Sequence, residues 1–264
     1  MEQNKMKIVI TCPSYKRPKV ETLDYLPFIR IYVDCDEYDA YVEANPVGTD
    51  IVSCPKGIQG NVSRIRNYIL EQEFKNGADA VAVVDDDVKG IYHWVNKESK
   101  IVKTEEFIDF VYKYSVLATD IGAHFWGINI NADKQCYREY TPFSTVSFIG
   151  GPFQCFVNGG GDCWYDEALS LKEDYDMTLQ QVQKHRVVFR VNSYYYDAKQ
   201  SIQKGGCAVY RNMEREKQQF LALQKKWGKK IIQRDEGTSR SHKTSKVRKH
   251  EDYNPIVKIP IKGV

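Results

Sequence analysis

Short apolar runs and amphipathic segments alternate along the chain, and each run stops at a cluster of polar or charged residues. Lys7 to Thr11 (KIVIT) predicts a strand covered on both faces, because its β-branched residues are uninterrupted by polar ones. Pro13 and Pro18 break any ladder, so 12–18 predicts a loop. Ile29 to Val33 predicts a second strand, ending at Asp34, Asp36 and Glu37. Asp50 to Cys54 predicts a third, which runs through Pro55 into Lys56-Gly57. Ala78 to Val84 predicts a fourth, and it ends in Asp85-Asp86-Asp87. Between the last two, Asn61 is placed to cap a helix that stops at Asn76-Gly77. Val62, Ile65 and Ile69 mark its apolar face, and Arg66 projects within that sector. An arginine facing a core requires an anionic partner there.

The second half is less regular. Thr104 to Thr119, Lys172 to Lys184 and Asn212 to Trp227 predict helices, the last with Met213, Phe220, Leu223 and Trp227 on one stripe. Phe125 to Ile130 and Arg186 to Val191 predict strands. Ser144 to Val157 predicts β-structure interrupted by Gly150-Gly151-Pro152 and closed by Gly159 to Gly161. Thr238 to Lys249 predicts a mobile stretch, and Ile256 to Ile261 an edge strand. This alternation predicts an α/β fold: a Rossmann-like open mixed sheet, mostly parallel, flanked by helices. Ligands bind such sheets outside the carboxyl ends of the strands. The expected organisation is one domain over 1–210, with a nucleotide-binding half at 6–95 and an acceptor half at 120–200. A basic helical and mobile extension over 211–264 belongs to the same domain.

Composition narrows the setting. The chain has 264 residues and 18 tyrosines. No run approaches the roughly 20 apolar residues of a membrane span, and Met1 to Met6 is too polar for a signal peptide. The seven cysteines form no CxxC pair, which predicts reduced thiols and a cytoplasmic setting without a disulfide framework or zinc site. The net charge of +3 is uneven: Arg211 to His250 holds thirteen Lys or Arg against four Asp or Glu, a net of +9, leaving the remainder at −6. A basic segment on an acidic body points to a polyanionic partner or to a solvated tail.

Three constellations carry candidate chemistry. Adjacent carboxylates at Asp85, Asp86 and Asp87 repel one another unless a cation is present. In an extended segment Asp85 and Asp87 would share a side, and hard oxygen ligands suit Mg²⁺ or Mn²⁺. In Arg64-Ile65-Arg66-Asn67, Arg66 could brace that triplet or touch phosphate. In Lys172-Glu173-Asp174-Tyr175-Asp176, acidic residues suit a helix start, and Asp174 could instead deprotonate an acceptor hydroxyl.

In order, KIVITCPSYKRP, the acid-ended second strand, GNVSRIRNYIL, AVAVVDDDV, Gly150-Gly151 and KEDYD resemble the GT-A glycosyltransferases over about residues 6 to 190. More narrowly, the CPSYKRP opening and the triple aspartate look similar to the TET-associated glycosyltransferases of bacteriophages, which glycosylate hydroxymethylpyrimidines in DNA. The resemblance implies a hexosyl- or pentosyltransferase with a UDP-sugar donor and a divalent cation, working in the host cytoplasm if phage-encoded. It places Thr11, Pro13, Tyr15, Arg17, Lys56, Arg66, Gly150 and Gly151 at the nucleotide-sugar, with Asp34 or Asp36 near the base. Asp85, Asp86 and Asp87 would serve diphosphate, ribose and metal, with His242 a further candidate metal ligand. Asp174, beside Glu173, would be the base of an inverting in-line attack, a retaining outcome remaining open. The basic stretch gains a use: Lys229, Lys230, Arg234, Arg240, Lys243, Lys246, Arg248 and Lys249 could track the phosphates of a DNA acceptor bearing 5-hydroxymethylcytosine. A polysaccharide, lipid-linked sugar or protein acceptor is the alternative, as is a metal-dependent nucleotidyltransferase. Trp227 reads as core, Tyr194 to Tyr196 as a half-buried strand, and the sequon Asn61-Val62-Ser63 as a helix cap.

Overall fold

The structure is a computed structural model that describes residues 6–130, 132, 137–198, 205–234 and 253–259. The four expected N-terminal strands form as β1 (Ile8–Pro13), β2 (Arg30–Asp34), β3 (Ile51–Cys54) and β4 (Ala80–Val84). All pair in parallel, in the order β3-β2-β1-β4. The chain therefore builds outward from β1 and then returns to its other side, which puts a topological switch point between β1 and β4. β4 is buried along its whole length, which is why it reads as AVAVV without alternation.

β4 is followed by β5 (Val88–Val95) and β6 (Glu98–Ile101), a hairpin that the apolar pattern did not predict. Its turn places Asn96 and Lys97 at φ 50° and 68°. That is the backbone of a tight two-residue turn, whose usual Asn-Gly signature is here Asn-Lys. β7 (Phe125–Asn129), β8 (Phe143–Ser144), β9 (Phe153–Val157) and β10 (Phe189–Ala198) complete a ten-stranded sheet, ordered β3-β2-β1-β4-β9-β7-β10-β5-β6 with β8 on β10. β5, β8 and β9 run against the other seven.

Among the described residues the α-helices are α1 (Tyr38–Ala44), α2 (Val62–Lys75), α3 (Phe107–Asp120), α4 (Glu173–His185) and α5 (Met213–Trp227). Asn61 caps α2 as expected, its side chain accepting from the backbone of Ser63 and Arg64, so the sequon is a capping feature. The core on one face joins α3, through Phe107, Phe110 and Val111, to Trp126 and Phe153. The other face packs α2 and α4, through Ile65, Ile69 and Met177, on Val81, Val83 and Phe125. A third cluster joins α5 to a two-stranded sheet of β11 (Ile232–Arg234) and β12 (Pro255–Val257), the latter overlapping the start of the predicted edge strand. On α5 the expected stripe holds for Phe220 and Leu223, whereas Met213 is 51% exposed. Trp227 does pack inward, and its indole N–H donates to Asp176 at 2.7 Å. Arg186 ends α4 at φ 65°, so the strand after it begins three residues later than the pattern predicts and runs to Ala198.

Candidate active site

A cleft of about 1170 Å³ opens at the β1/β4 switch point. Its floor is the loop after β1. Ser14 Oγ and the Arg17 guanidinium both donate to Asp86, and Arg17 Nη1 also stands 3.8 Å from Asp87. Asp85 to Val88 form a turn rather than an extended segment, so the alternation expected of Asp85 and Asp87 gives way to a fan of three carboxylates. Thr22 fixes that turn: its hydroxyl donates to the Asp85 carbonyl at 2.7 Å and accepts from the Val88 amide at 2.9 Å. The triplet itself gives no sign of Thr22, because the contact spans 63 residues.

Arg66 enters from α2 and is 1% exposed. The partner that its inward position demands is double. Nη2 donates to Asp85 at 2.9 Å and to the Gly151 carbonyl at 3.0 Å, and Nη1 donates to Glu173 at 3.1 Å. Burial works against its charge, but Asp85, Tyr165 and Glu173 hold it protonated. Gly151 has to be small here: a Cβ would stand 3.2 Å from Arg66 Nη2, and one on Gly150 would stand 2.5 Å from Ile130 Cγ2.

Across the cleft, α4 presents Glu173 and Asp174 on its first turn. Glu173 is buried and committed to Arg66, whereas Asp174 is half-buried and lines the cleft. Burial pushes both carboxyls up, opposed by Arg66 at each. Asp86 is pushed up to about 7 by burial, against Arg17 and Ser14, and Asp87 up to about 6 by burial and by Asp85. Phe148 stacks on Tyr175 at 4.1 Å beside this pair. Segment 205–212 contributes to the lining. The Gly206 N–H donates to the Tyr15 carbonyl at 2.7 Å, and a Cβ on Gly205 would strike the Lys16 carbonyl at 2.7 Å. Cys207 and Tyr210 thereby reach the cleft, and burial pushes the Cys207 thiol up to about 11.

Of the residues expected from the sequence, Pro13, Tyr15, Arg17, Arg66, Asp85, Asp86, Asp87, Gly150, Gly151, Glu173 and Asp174 line this one cleft. Thr11 does not reach it: the side chain is 0% exposed and donates to the Ala82 carbonyl inside the sheet. Asp34, Asp36 and Lys56 lie outside its lining, where Asp36 pairs with Lys56 at 3.0 Å and the Asp34 side chain accepts from the Asp36 amide. Lys229, Lys230 and Arg234 are exposed, and the Arg234 guanidinium sits 4.9 Å over the Tyr253 ring. His242, Arg240, Lys243, Lys246, Arg248 and Lys249 lie outside the described residues. Ser14, Thr22, Tyr41 and Cys207, none among the expected site residues, are what the fold adds.

The donor set fits a hard divalent cation. Asp85, Asp86, Asp87, Glu173 and Asp174 line one cleft with Arg17 and Arg66 bonded among them, and burial pushes Asp86 and Asp87 toward their neutral forms; the tighter grouping among the described residues, with ligand atoms within 4.8 Å of one another, is Asp34, Cys35 and Asp36 outside that cleft. Carboxylate oxygens in excess over local positive charge are what Mg²⁺ or Mn²⁺ neutralises.

The architecture matches glucosyl-3-phosphoglycerate synthase from Mycobacterium tuberculosis, solved with Mn²⁺, uridine diphosphate and glucosyl-3-phosphoglycerate. The TM-score is 0.51 at 10% identity, over 83% of this chain and 79% of that one. The fold is of the GT-A type. TarS 1–349 of S. aureus is similar at TM-score 0.46 and 14% identity; 83% of this chain is covered, and the match spans 66% of TarS 1–349. The same protein in complex with UDP-GlcNAc gives TM-score 0.48 at 13% identity, over 83% of this chain and 67% of that one. No known family profile matches the sequence. No curated protein matches it significantly.

Proposed function

We propose that the chain is a glycosyltransferase that moves a sugar from a UDP-sugar to a hydroxyl acceptor. The observation that carries this reading is the Arg66 bridge: one buried guanidinium ties the aspartate turn to the acid pair of α4 across a single cleft at the switch point. Pro13, Tyr15 and Arg17 then face the nucleotide, with Gly150 and Gly151 giving close backbone approach to the sugar diphosphate. Asp85 and Asp87 would hold Mn²⁺ or Mg²⁺, which supplies positive charge where the diphosphate leaving group becomes more negative. Asp174, half-open to the cleft while Glu173 is tied to Arg66, takes the acceptor proton. The acceptor oxygen forms its bond to the anomeric carbon as the bond from that carbon to the phosphate oxygen breaks, in line and with inversion.

As acceptor we propose DNA bearing a hydroxymethylpyrimidine. The reading is supported by the net +9 of Arg211 to His250 and by the surroundings of that run. Lys229 and Lys230 are exposed, Arg234 sits on Tyr253, and Tyr253 with Asn254 lines the cleft. The test is incubation with a panel of UDP-sugars, Mn²⁺ and hydroxymethylcytosine DNA, followed by UDP release and mass spectrometry of the nucleosides. Turnover that survives both Asp85→Ala and Asp87→Ala ends the sugar-transfer reading. DNA binding without a salt slope ends the DNA reading, because phosphate contacts release counterions. Turnover with a polysaccharide, lipid-linked sugar or protein in place of DNA would reassign the acceptor alone, and nucleotidyl transfer without UDP release would reassign the reaction.

A further inference from the structure

Among the described residues, six buried side-chain nitrogen or oxygen atoms have no hydrogen-bond partner. Buried polar atoms are rarely left unpaired, so each calls for a reason. Three of the six, His124 Nδ1, Gln181 Oε1 and His185 Nε2, come from one corner of the fold. The His124 and His185 rings stand 4.7 Å apart at 56°. Gln181 and His185 share one face of the last turn of α4. His124 and Gln181 line one cavity of about 40 Å³, which has room for an ion or a water. His124 immediately precedes β7, at the end of the sheet away from the aspartate turn. The glycine loop 159–161 fixes its ring: a Cβ on Gly160 would stand 2.6 Å from His124 Cβ, and one on Gly159 would stand 3.3 Å from His124 Cε1.

We propose that His124 and His185 form a binding site for a borderline divalent cation such as Zn²⁺, with Gln181 Oε1 as the third ligand. The site is independent of the sugar-transfer reading and of the cation held by the aspartate turn. Two imidazole nitrogens favour zinc over the hard Mg²⁺ or Mn²⁺ that suits carboxylates. A single water has two protons to give, so it serves two lone pairs at once, whereas a cation serves all three atoms. The electrostatics allow a positive charge here. His185 is the last residue of α4, where the helix dipole favours a cation. The neighbouring Lys184 ammonium is already paired with Asp162. The ligands are histidines far apart in the sequence, so the cysteine spacing that argued against a zinc site does not bear on them. A bound ion would clip the end of α4 to the start of β7, and the other end of α4 carries Glu173 and Asp174 into the cleft.

The test is a Zn²⁺ titration of the full, metal-free chain, with the imidazole nitrogens followed by long-range ¹H–¹⁵N NMR. His124→Gln and His185→Gln assign the two rings. The expected result is that His124 Nδ1 and His185 Nε2 shift together and saturate, while His93, stacked on Tyr194 elsewhere in the sheet, does not move. In each variant the zinc concentration that shifts the remaining ring rises at least about tenfold. The readout is specific to the rings, so zinc taken up by the aspartate turn, or by Asp34, Cys35 and Asp36, does not enter it. Rings that stay unmoved, that move one without the other, or that respond only at concentrations that also move His93 overturn the proposal and leave the corner to an ordered water. Where a variant does not fold, joint saturation of both rings in the wild type decides. No turnover is measured, so failure here leaves the sugar-transfer reading untouched.

Discussion

Arg66 Nη1 donates to Glu173 Oε1 at 3.1 Å, closing a contact between residues 107 positions apart. The same guanidinium donates to Asp85 and to the Gly151 carbonyl. Removing one partner of a buried ion pair costs about 3–5 kcal/mol, because the other charge stays buried and unpaired. Arg66→Met is expected to lose stability on that scale, seen in chemical denaturation at a constant m-value. Arg66→Lys keeps the charge but cannot reach three acceptors in a plane, and it is expected to fall between the two.

Asp85 and burial raise the Asp87 carboxyl, and in the proposed reading a bound divalent cation would relieve that repulsion. Asp87→Asn is expected to raise the melting temperature of the metal-free protein, since it removes one of three crowded carboxylates. The same substitution is expected to abolish the melting-point rise on adding Mn²⁺ and to lower UDP-sugar turnover at least about a hundredfold. Thermal scans with and without Mn²⁺ separate the two effects. A variant less stable than wild type in the absence of metal would contradict the repulsion argument.

Gly150 has no room for a side chain. Its Cβ would lie 2.5 Å from Ile130 Cγ2 and 3.3 Å from Tyr196 Oη. Gly150→Ala is expected to cost about 1–3 kcal/mol, the usual range for overpacking, and to raise KM for the donor more than for the acceptor. Steady-state kinetics with both substrates varied give the comparison.

Burial, together with His124 and Lys184, holds the His185 imidazole below its ordinary value. A depressed folded-state value means that the unfolded chain takes up the proton first. Its contribution to stability is therefore intact above about pH 6.5 and is lost as pH falls through the folded value. His185→Gln is expected to gain melting temperature relative to wild type as pH falls from 7.5 to 5. The difference between the two proteins is the quantity to measure, because Asp86 and Asp87 titrate in the same window with the opposite sign.

The parallel half of the fold and its cleft residues were legible because each strand end carries its own local signal. KIVIT stops at Pro13, AVAVV stops at the triplet, and the inward Arg66 announces a buried anion before any partner is known. The β5–β6 hairpin was hidden by a turn that uses Lys97 at φ 68° where glycine is usual. The family resemblance puts Thr11 at the nucleotide, but strand alternation turns its hydroxyl into the sheet, onto Ala82. Ser14, Thr22 and Cys207 belong to the site through contacts spanning tens of residues, and no local pattern encodes those. Met213 fits the helical period of α5, yet it faces the cleft because segment 205–212 delivers the start of that helix to the opening.

The cleft draws on the chain from Pro13 to Asn254. A polypeptide emerging from the ribosome lays down the aspartate turn and Arg66 within its first third, long before Glu173 exists to accept from Arg66 Nη1 or Glu216 to hold Lys172. Until those partners are synthesised, Arg66 and Lys172 are each short of an anion. Assembly of the cleft is therefore a late event in biogenesis: a chain stalled before α5 has the Arg66 bridge but lacks Glu216, the partner of Lys172.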